Sequence, residues 1–482
     1  MTTVAEGGRE FLATHESELA DELMRWIAIP SVAGDPELTK AVTWSASELA
    51  ARCRDTGFPV VELWSQGDGH AVFAEWAADP STPTVLVYSH HDVRAVRHER
   101  WRETEPFTPV ERGGRVFGRG ASDAKGQVLA HLWGVRAHLA ATGRDAPAVN
   151  LKLLIEGEEE LGSPNLAALL DEHADRLAAD LVVFTDTMLL DAEHPAISMS
   201  IRGMVGGTLT VFGPKADVHS GAVSGAAPDP ALTLARTLAA LCDEDGRVAL
   251  PGFYDDVDTP DAVRAELARL PFDDQDWIER SRTDRVVGEP GYSVPERLWA
   301  RPALEVIEIR AGDVDGQPRA VIPRSASATI SIRLVDRQRP ERVAAQLEQW
   351  LAERMPRDQW SLDVTLDTAG PPYRTPDDDP AGAAVAALAE AMAEAWDVPV
   401  AQVGRMGNGG GGPADLLARV IDAPVVFFGT GLVEDHWHAP DESVRLDVLR
   451  LGAHTLAGWW PRLAAAVPPR RRDRRAEAAD VP

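Results

Sequence analysis

Histidine and carboxylate residues recur at the ends of apolar runs in this chain. Val85–Tyr88 precedes "SHHD", Leu151–Ile155 precedes "EGEEE", Leu181–Phe184 precedes "TDT", and Val425–Phe428 lies ahead of "EDHWH". A fifth segment, "GRGASDAKG", sets Asp123 where a turn feeds a helix. Imidazole nitrogen and carboxylate oxygen are ligands of zinc, and a catalytic zinc keeps one position open for water. Two metals about 3.5–4 Å apart need a shared ligand. With Asp123 bridging, one ion takes His90 and Asp186, and the other takes Glu160 and His438. The chemistry expected of such a pair is hydrolysis by an activated water. Asp92, two residues after His90, can accept that ring's second N–H. Glu159, beside Glu160, can serve as general base and later as acid.

Each segment alone has a plainer reading. A His before an Asp is commonly a core or surface pair, and "EGEEE" a solvated acidic turn. Lys125 in "GRGASDAKG" invites a phosphate loop, but the G-x-x-x-x-G-K-[ST] spacing is absent. The ordered set favours a metallohydrolase. His91 adjoins His90 on an extended strand and faces the other side, so both are not ligands. His436 and His438, at i and i+2, can face the same way; His438 is preferred because it heads "HAPDE". Trp437, Trp459 and Trp460 read as packing residues.

Strands alternating with helices must position these residues, which predicts an α/β layer with a mostly parallel sheet. Residues 9–56 read as two amphipathic helices around "IPSVAGDP". After "SMSIRGMVGG" the pattern changes. Residues 203–212 and 325–335 alternate as strands, and 230–246 and 340–355 read as helices, an α+β insert. The expected organisation is a catalytic domain in two parts, 1–202 and 374–467, interrupted by a lid and dimerisation domain, 203–373. Residues 468–482, with "RRRDRR", read as a disordered tail.

A net charge of -28 disfavours nucleic acid and anionic membrane as partners. No stretch is long and apolar enough to span a bilayer, and the N-terminus shows no signal peptide. The 2 cysteines, Cys53 and Cys242, form no disulfide framework, which points to a reducing cytoplasm.

"SHHDV", "GRGASDAKG", "EGEEELGS", "RGMVGGTLTVFGPKADVHSG", "SIRLV" and "HAPDE", in this order, resemble the co-catalytic zinc metallopeptidase family of carnosinase, carboxypeptidase G and succinyl-diaminopimelate desuccinylase. Within it the chain looks most like the carnosinase-like dipeptidase branch, over residues from about 15 to 465. The resemblance implies a zinc-peptidase domain with an inserted lid that dimerises. It puts metal ligands at His90, Asp123, Glu160, Asp186 and His438, an outer-shell acid at Asp92 and the catalytic acid/base at Glu159. It implies that His219 reaches a neighbouring subunit's site to stabilise the oxyanion, and that Arg333 grips the substrate's terminal carboxylate. The loop 407–415, with Gly409, Gly410 and Gly411, falls on a substrate-binding loop but lacks the branch's serine. Ala124 stands where most members have a second Asp, and Ala320 where a polar substrate contact is common.

The expected function is amide-bond hydrolysis in dipeptides or small peptides by a homodimer carrying two divalent ions per subunit. Zinc is expected, with manganese or cobalt as alternatives. The rival reading is an N-acyl or N-carbamoyl amino-acid amidohydrolase acting on acyl-amino-acid substrates. More remote are a scaffold that kept the fold and a phosphotransfer enzyme.

Overall fold

The computed structural model describes residues 4–67, 69–96, 100–312, 316–317, 319–335, 337–355 and 360–470. Of the tail expected to be disordered, residues 471–482 lie outside this set. The chain divides into two compact units. One holds residues up to 199, 375–405 and from 416 onward; the other holds 200–374 and 406–415.

The first unit is built on a six-stranded sheet. Its spatial order is Val60–Gln66, Gly69–Trp76, Asn150–Glu156, Thr84–His90, Leu181–Phe184 and Val425–Phe427. The last four run parallel, and the first two join antiparallel. Continuous apolar runs form the parallel strands because helices bury both of their faces; Val85, Leu86, Val87, Val182 and Val183 are all buried. Helix Leu446–Ala466 packs on both Lys125–Thr142 and Ala381–Trp396, and its Trp459 and Trp460 are wholly buried. The N-terminal region forms three helices rather than two: Val4–Thr14, Glu16–Ile27 and Thr39–Thr56. The break falls at His15, whose ring stacks on Phe11 and whose Nδ1 lies 2.8 Å from the Phe11 carbonyl.

The second unit carries an antiparallel sheet in the order Ala303–Ala311, Ser325–Leu334, Gly203–Phe212, Ser361–Ala369. Alternation sends Val205, Leu209, Val211, Ala328, Ile330 and Ile332 toward helices Pro230–Ala239 and Pro340–Arg354. Thr208, Thr210, Ser327 and Thr329 occupy the opposite face. Two strands were not legible as such. Ala303–Ala311 is an edge strand with a bulge between Val306 and Glu308, so its period slips, and Val306, Ile307 and Ile309 stand exposed. Ser361–Ala369 is the other edge. Three short helices, Asp261–Leu267, Asp274–Arg280 and Val294–Trp299, fall in a stretch with too few turns to show a helical period.

Candidate metal centre

The ends of the parallel strands are in register. His90 lies opposite Glu156, Tyr88 opposite Phe184, and Phe184 opposite Phe427. The segments leaving these carboxyl ends therefore share one edge, where open α/β sheets bind ligands. They carry Asp92, Glu159, Glu160, Asp186 and His438. Asp123 arrives from the turn before the helix Lys125–Thr142, and its peptide bond to Ala124 is cis.

Asp123 is the centre of the cluster. Its Oδ1 lies 3.1 Å from His90 Nε2, and its Oδ2 lies 2.9 Å from His438 Nε2. His90 Nε2 is also 3.9 Å from Asp186 Oδ2, and His438 Nε2 is 3.3 Å from Glu160 Oε2. The result is two donor trios, His90–Asp123–Asp186 and Asp123–Glu160–His438, each with its ligand atoms within 4.8 Å of one another. Asp123 is common to both trios.

Asp92 organises the surroundings from full burial. Its carboxylate lies 3.3 Å from His90 Nδ1 and accepts the backbone N–H groups of Glu159 at 3.2 Å and Glu160 at 3.0 Å. Glu159 and Glu160 begin a short 3₁₀ turn rather than ending a strand. That turn is fixed from beneath. Buried Glu156 accepts from the Tyr88 hydroxyl, from Ser163 Oγ at 2.8 Å and from Gln66 Nε2 at 2.8 Å, and Gln66 Oε1 accepts the Gly157 N–H at 3.1 Å.

The charges fit cations. Burial raises the Glu159 carboxyl well above its ordinary value, and Asp186, Glu160 and Asp123 push the same way against His90. Burial, with Asp123 and Glu160, pushes Asp186 up to about 7. Burial opposes a charge on His438, yet its hydrogen bonds to Asp123 and Glu160 push it up to about 10. His90 is raised likewise: burial opposes, but Asp123 and Asp92 prevail. Burial works against the Asp123 anion, but the hydrogen bonds of the two rings hold its carboxyl below the usual range. Glu160 Oε1 and Asp186 Oδ1 are buried with no hydrogen-bond partner. Buried carboxylates crowded together need compensating positive charge. The donor set and its orphan oxygens suit a pair of divalent ions.

His91 is in neither trio. Its Nε2 lies 2.8 Å from the His70 carbonyl, and burial lowers its pKa to about 4. Trp437 Nε1 donates to Ser122 Oγ at 2.8 Å.

His219, Arg333 and Gly409–Gly411 belong to the second unit. His219 is exposed on a two-residue strand, paired with Val321. Arg333 lies in the sheet opposite Ala303 and Met204. The Gly410 carbonyl accepts the Arg202 N–H at 2.9 Å.

Two acids escaped the sequence reading. Glu442 is fully buried and accepts the backbone N–H groups of Gly120, Ser122 and Asp123, each at 3.1 Å, and the Arg119 guanidinium at 2.7 Å. It ties the loop of His438 to the loop of Asp123. Asp435, also fully buried, accepts from Ser122 Oγ at 2.7 Å and the Leu432 N–H at 2.9 Å. Both lie within the "EDHWH" and "HAPDE" segments, where only His438 was assigned.

Residues 86–461 match the profile of a protein family described as peptidase family M20/M25/M40. The chain is 30% identical to the Beta-Ala-His dipeptidase of Rattus norvegicus over 357 residues, covering 71% of this chain and 72% of that one. It is 32% identical to the Cys-Gly metallodipeptidase dug1 of Schizosaccharomyces pombe over 354 residues, covering 69% and 72%. The fold is similar to that of human carnosine dipeptidase 1, with a TM-score of 0.83 at 24% identity over 96% of this chain and 99% of that one.

Proposed function

The chain belongs to peptidase family M20/M25/M40, and on that premise we propose that its two donor trios hold a pair of zinc ions that serve dipeptide hydrolysis. It is a metal-dependent peptidase, and cleavage of dipeptides fits relatives whose names specify Beta-Ala-His and Cys-Gly dipeptides. The observation that carries the reading is the sharing of Asp123, one oxygen toward each histidine. His90 and Asp186 would hold one ion, Glu160 and His438 the other. Such ions lower the pKa of a water and polarise a scissile carbonyl.

The chain's own groups do the rest. Glu159 takes the water's proton and delivers it to the leaving amine nitrogen. Asp92 fixes the His90 ring and the turn carrying Glu159 and Glu160. Arg333 and backbone N–H groups of residues 407–412 hold the substrate's free carboxylate. The second unit serves as lid and dimerisation domain, and His219 of one subunit supports the oxyanion formed in its partner. Free thiols at Cys53 and Cys242 favour a reducing cytoplasm. No described helix is long and apolar enough to cross a membrane.

The test is calorimetric titration of the chelated protein with zinc, followed by hydrolysis of a dipeptide panel beside N-acetyl and N-carbamoyl amino acids. Two metals per chain and chelator-sensitive dipeptide cleavage are expected. Binding should also release protons at pH 7, because His438 otherwise keeps its proton to about pH 10 and a ligating imidazole must be neutral. The released protons show as a binding heat that varies with the buffer's ionisation enthalpy, and affinity should rise with pH. Stoichiometric metal with cleavage of N-acyl substrates alone would overturn the dipeptide assignment; no metal after loading would overturn the site.

A further inference from the structure

The register of the second unit's sheet sets Arg333 opposite Met204 and Ala303, and Glu305 opposite Ser331. Arg333, Ser331 and Glu305 therefore share the face turned away from the packed helices. Arg202 enters this group just ahead of the strand Gly203–Phe212. Its Nε donates to the Gly409 carbonyl at 3.0 Å. Its two η nitrogens make no hydrogen bond among the described residues, and no described carboxylate lies within 4 Å of either guanidinium. Burial, and then the charge of Arg333, lower the Arg202 pKa to about 10. Glu305 is the acid that acts on both, and its own carboxyl is raised by burial. Ser331 Oγ is buried and has no hydrogen-bond partner.

Two guanidiniums held together against one partly buried carboxylate leave a net positive charge and unused donors. Such a group is costly unless an anion completes it. The glycine loop borders both arginines with bare backbone. A Cβ on Gly409 would meet Arg202 Nη2 at 3.4 Å, and one on Gly411 would lie 3.1 Å from the Arg202 carbonyl and 3.9 Å from Arg333 Nη1.

We propose that Arg202 is a second substrate-binding residue, and that its η nitrogens and Arg333 together grip the free carboxylate of the substrate's leaving residue. This rests on the reading of Arg333 as a carboxylate-binding residue and adds Arg202, which opens the motif "RGMVGG" but has no role assigned from sequence. Two planar forks on one carboxylate restrict its orientation as well as its charge. A substrate whose carboxylate is converted to an amide has no charge and one acceptor oxygen fewer, so it gains much less from either arginine.

The test compares kcat/KM for a dipeptide and for its C-terminal amide in the wild type, R202Q, R202K and R333Q, with metal content measured alongside. R202Q should raise KM for the free acid about ten- to a hundredfold, the range for a lost charge-assisted hydrogen bond, and change the amide far less. The preference for acid over amide then collapses. R202K, which keeps the charge but loses the fork and is the milder change for folding, should reduce that preference less. If both Arg202 variants lower acid and amide equally, or neither, while R333Q alone collapses the preference, Arg202 merely supports the glycine loop and the proposal fails with the Arg333 reading intact. If R333Q also leaves the preference intact, the carboxylate site itself is wrong and the proposal falls with it.

Discussion

At the scale of single residues, Glu159 is the decisive position. It is half-buried among acids and has no place in either donor trio. Replacing it by alanine should cut turnover by about 100- to 10,000-fold, the usual worth of a general acid–base, while two metals remain bound. Activity near wild type in E159A, with metal content confirmed, would show that another group moves the proton. The sequence offered His90, Asp123, Glu160, Asp186 and His438 as ligands because each sits at a strand end or turn in a recognisable segment. Glu442 was not legible, although it lies four residues beyond His438. Its work is to accept N–H groups from Gly120, Ser122 and Asp123, some 320 residues earlier in the chain. A carboxylate that neutralises a distant loop looks, in sequence, like any surface acid. Arg202 opens the quoted motif "RGMVGG", yet its role was not assigned, since its setting comes from a loop two hundred residues away.

At the scale of elements, the parallel strands do more than aim their last residues. Tyr88 and Glu156 lie on adjacent strands, and their buried hydrogen bond underpins the turn that carries Glu159 and Glu160. Tyr88→Phe removes that donor from a fully buried carboxyl that burial has already pushed up to about 7. We expect a loss of about 1–3 kcal/mol in unfolding free energy, read from the urea midpoint at constant slope. An unchanged midpoint would mean that this bond contributes nothing to the turn's support. The parallel strands were readable as short apolar runs, and the long helices from their periodicity. The edge strand Ala303–Ala311 was not, because its bulge breaks the alternation and its apolar side chains face solvent.

At the scale of the whole molecule, the proposed sharing of His219 between subunits has a direct signature. H219A and E159A should each be nearly inactive. Mixed and allowed to exchange subunits, they should recover about a quarter of wild-type activity, because half the dimers are then mixed and each of these has one complete site. No recovery, in a mixture shown to contain mixed dimers, would place His219 outside its partner's chemistry. The sequence predicts one domain interrupted by another, and the chain divides into two compact units, the second holding residues 200–374 and 406–415. The glycine run 407–412 has no periodicity that would assign it to either unit from sequence.

That interruption has a consequence for how the protein is made. The four strands of the second unit's sheet all lie between residues 203 and 369, so they leave the ribosome as one block. The first unit must wait. Its sixth strand, Val425–Phe427, and the helix Leu446–Ala466 that covers Lys125–Thr142 are synthesised last. At translation speeds of about 5–20 residues per second, the N-terminal two hundred residues spend on the order of ten seconds or more with one edge and one face uncovered. A chain truncated before Leu446 lacks the helix that covers Lys125–Thr142 and keeps that face uncovered.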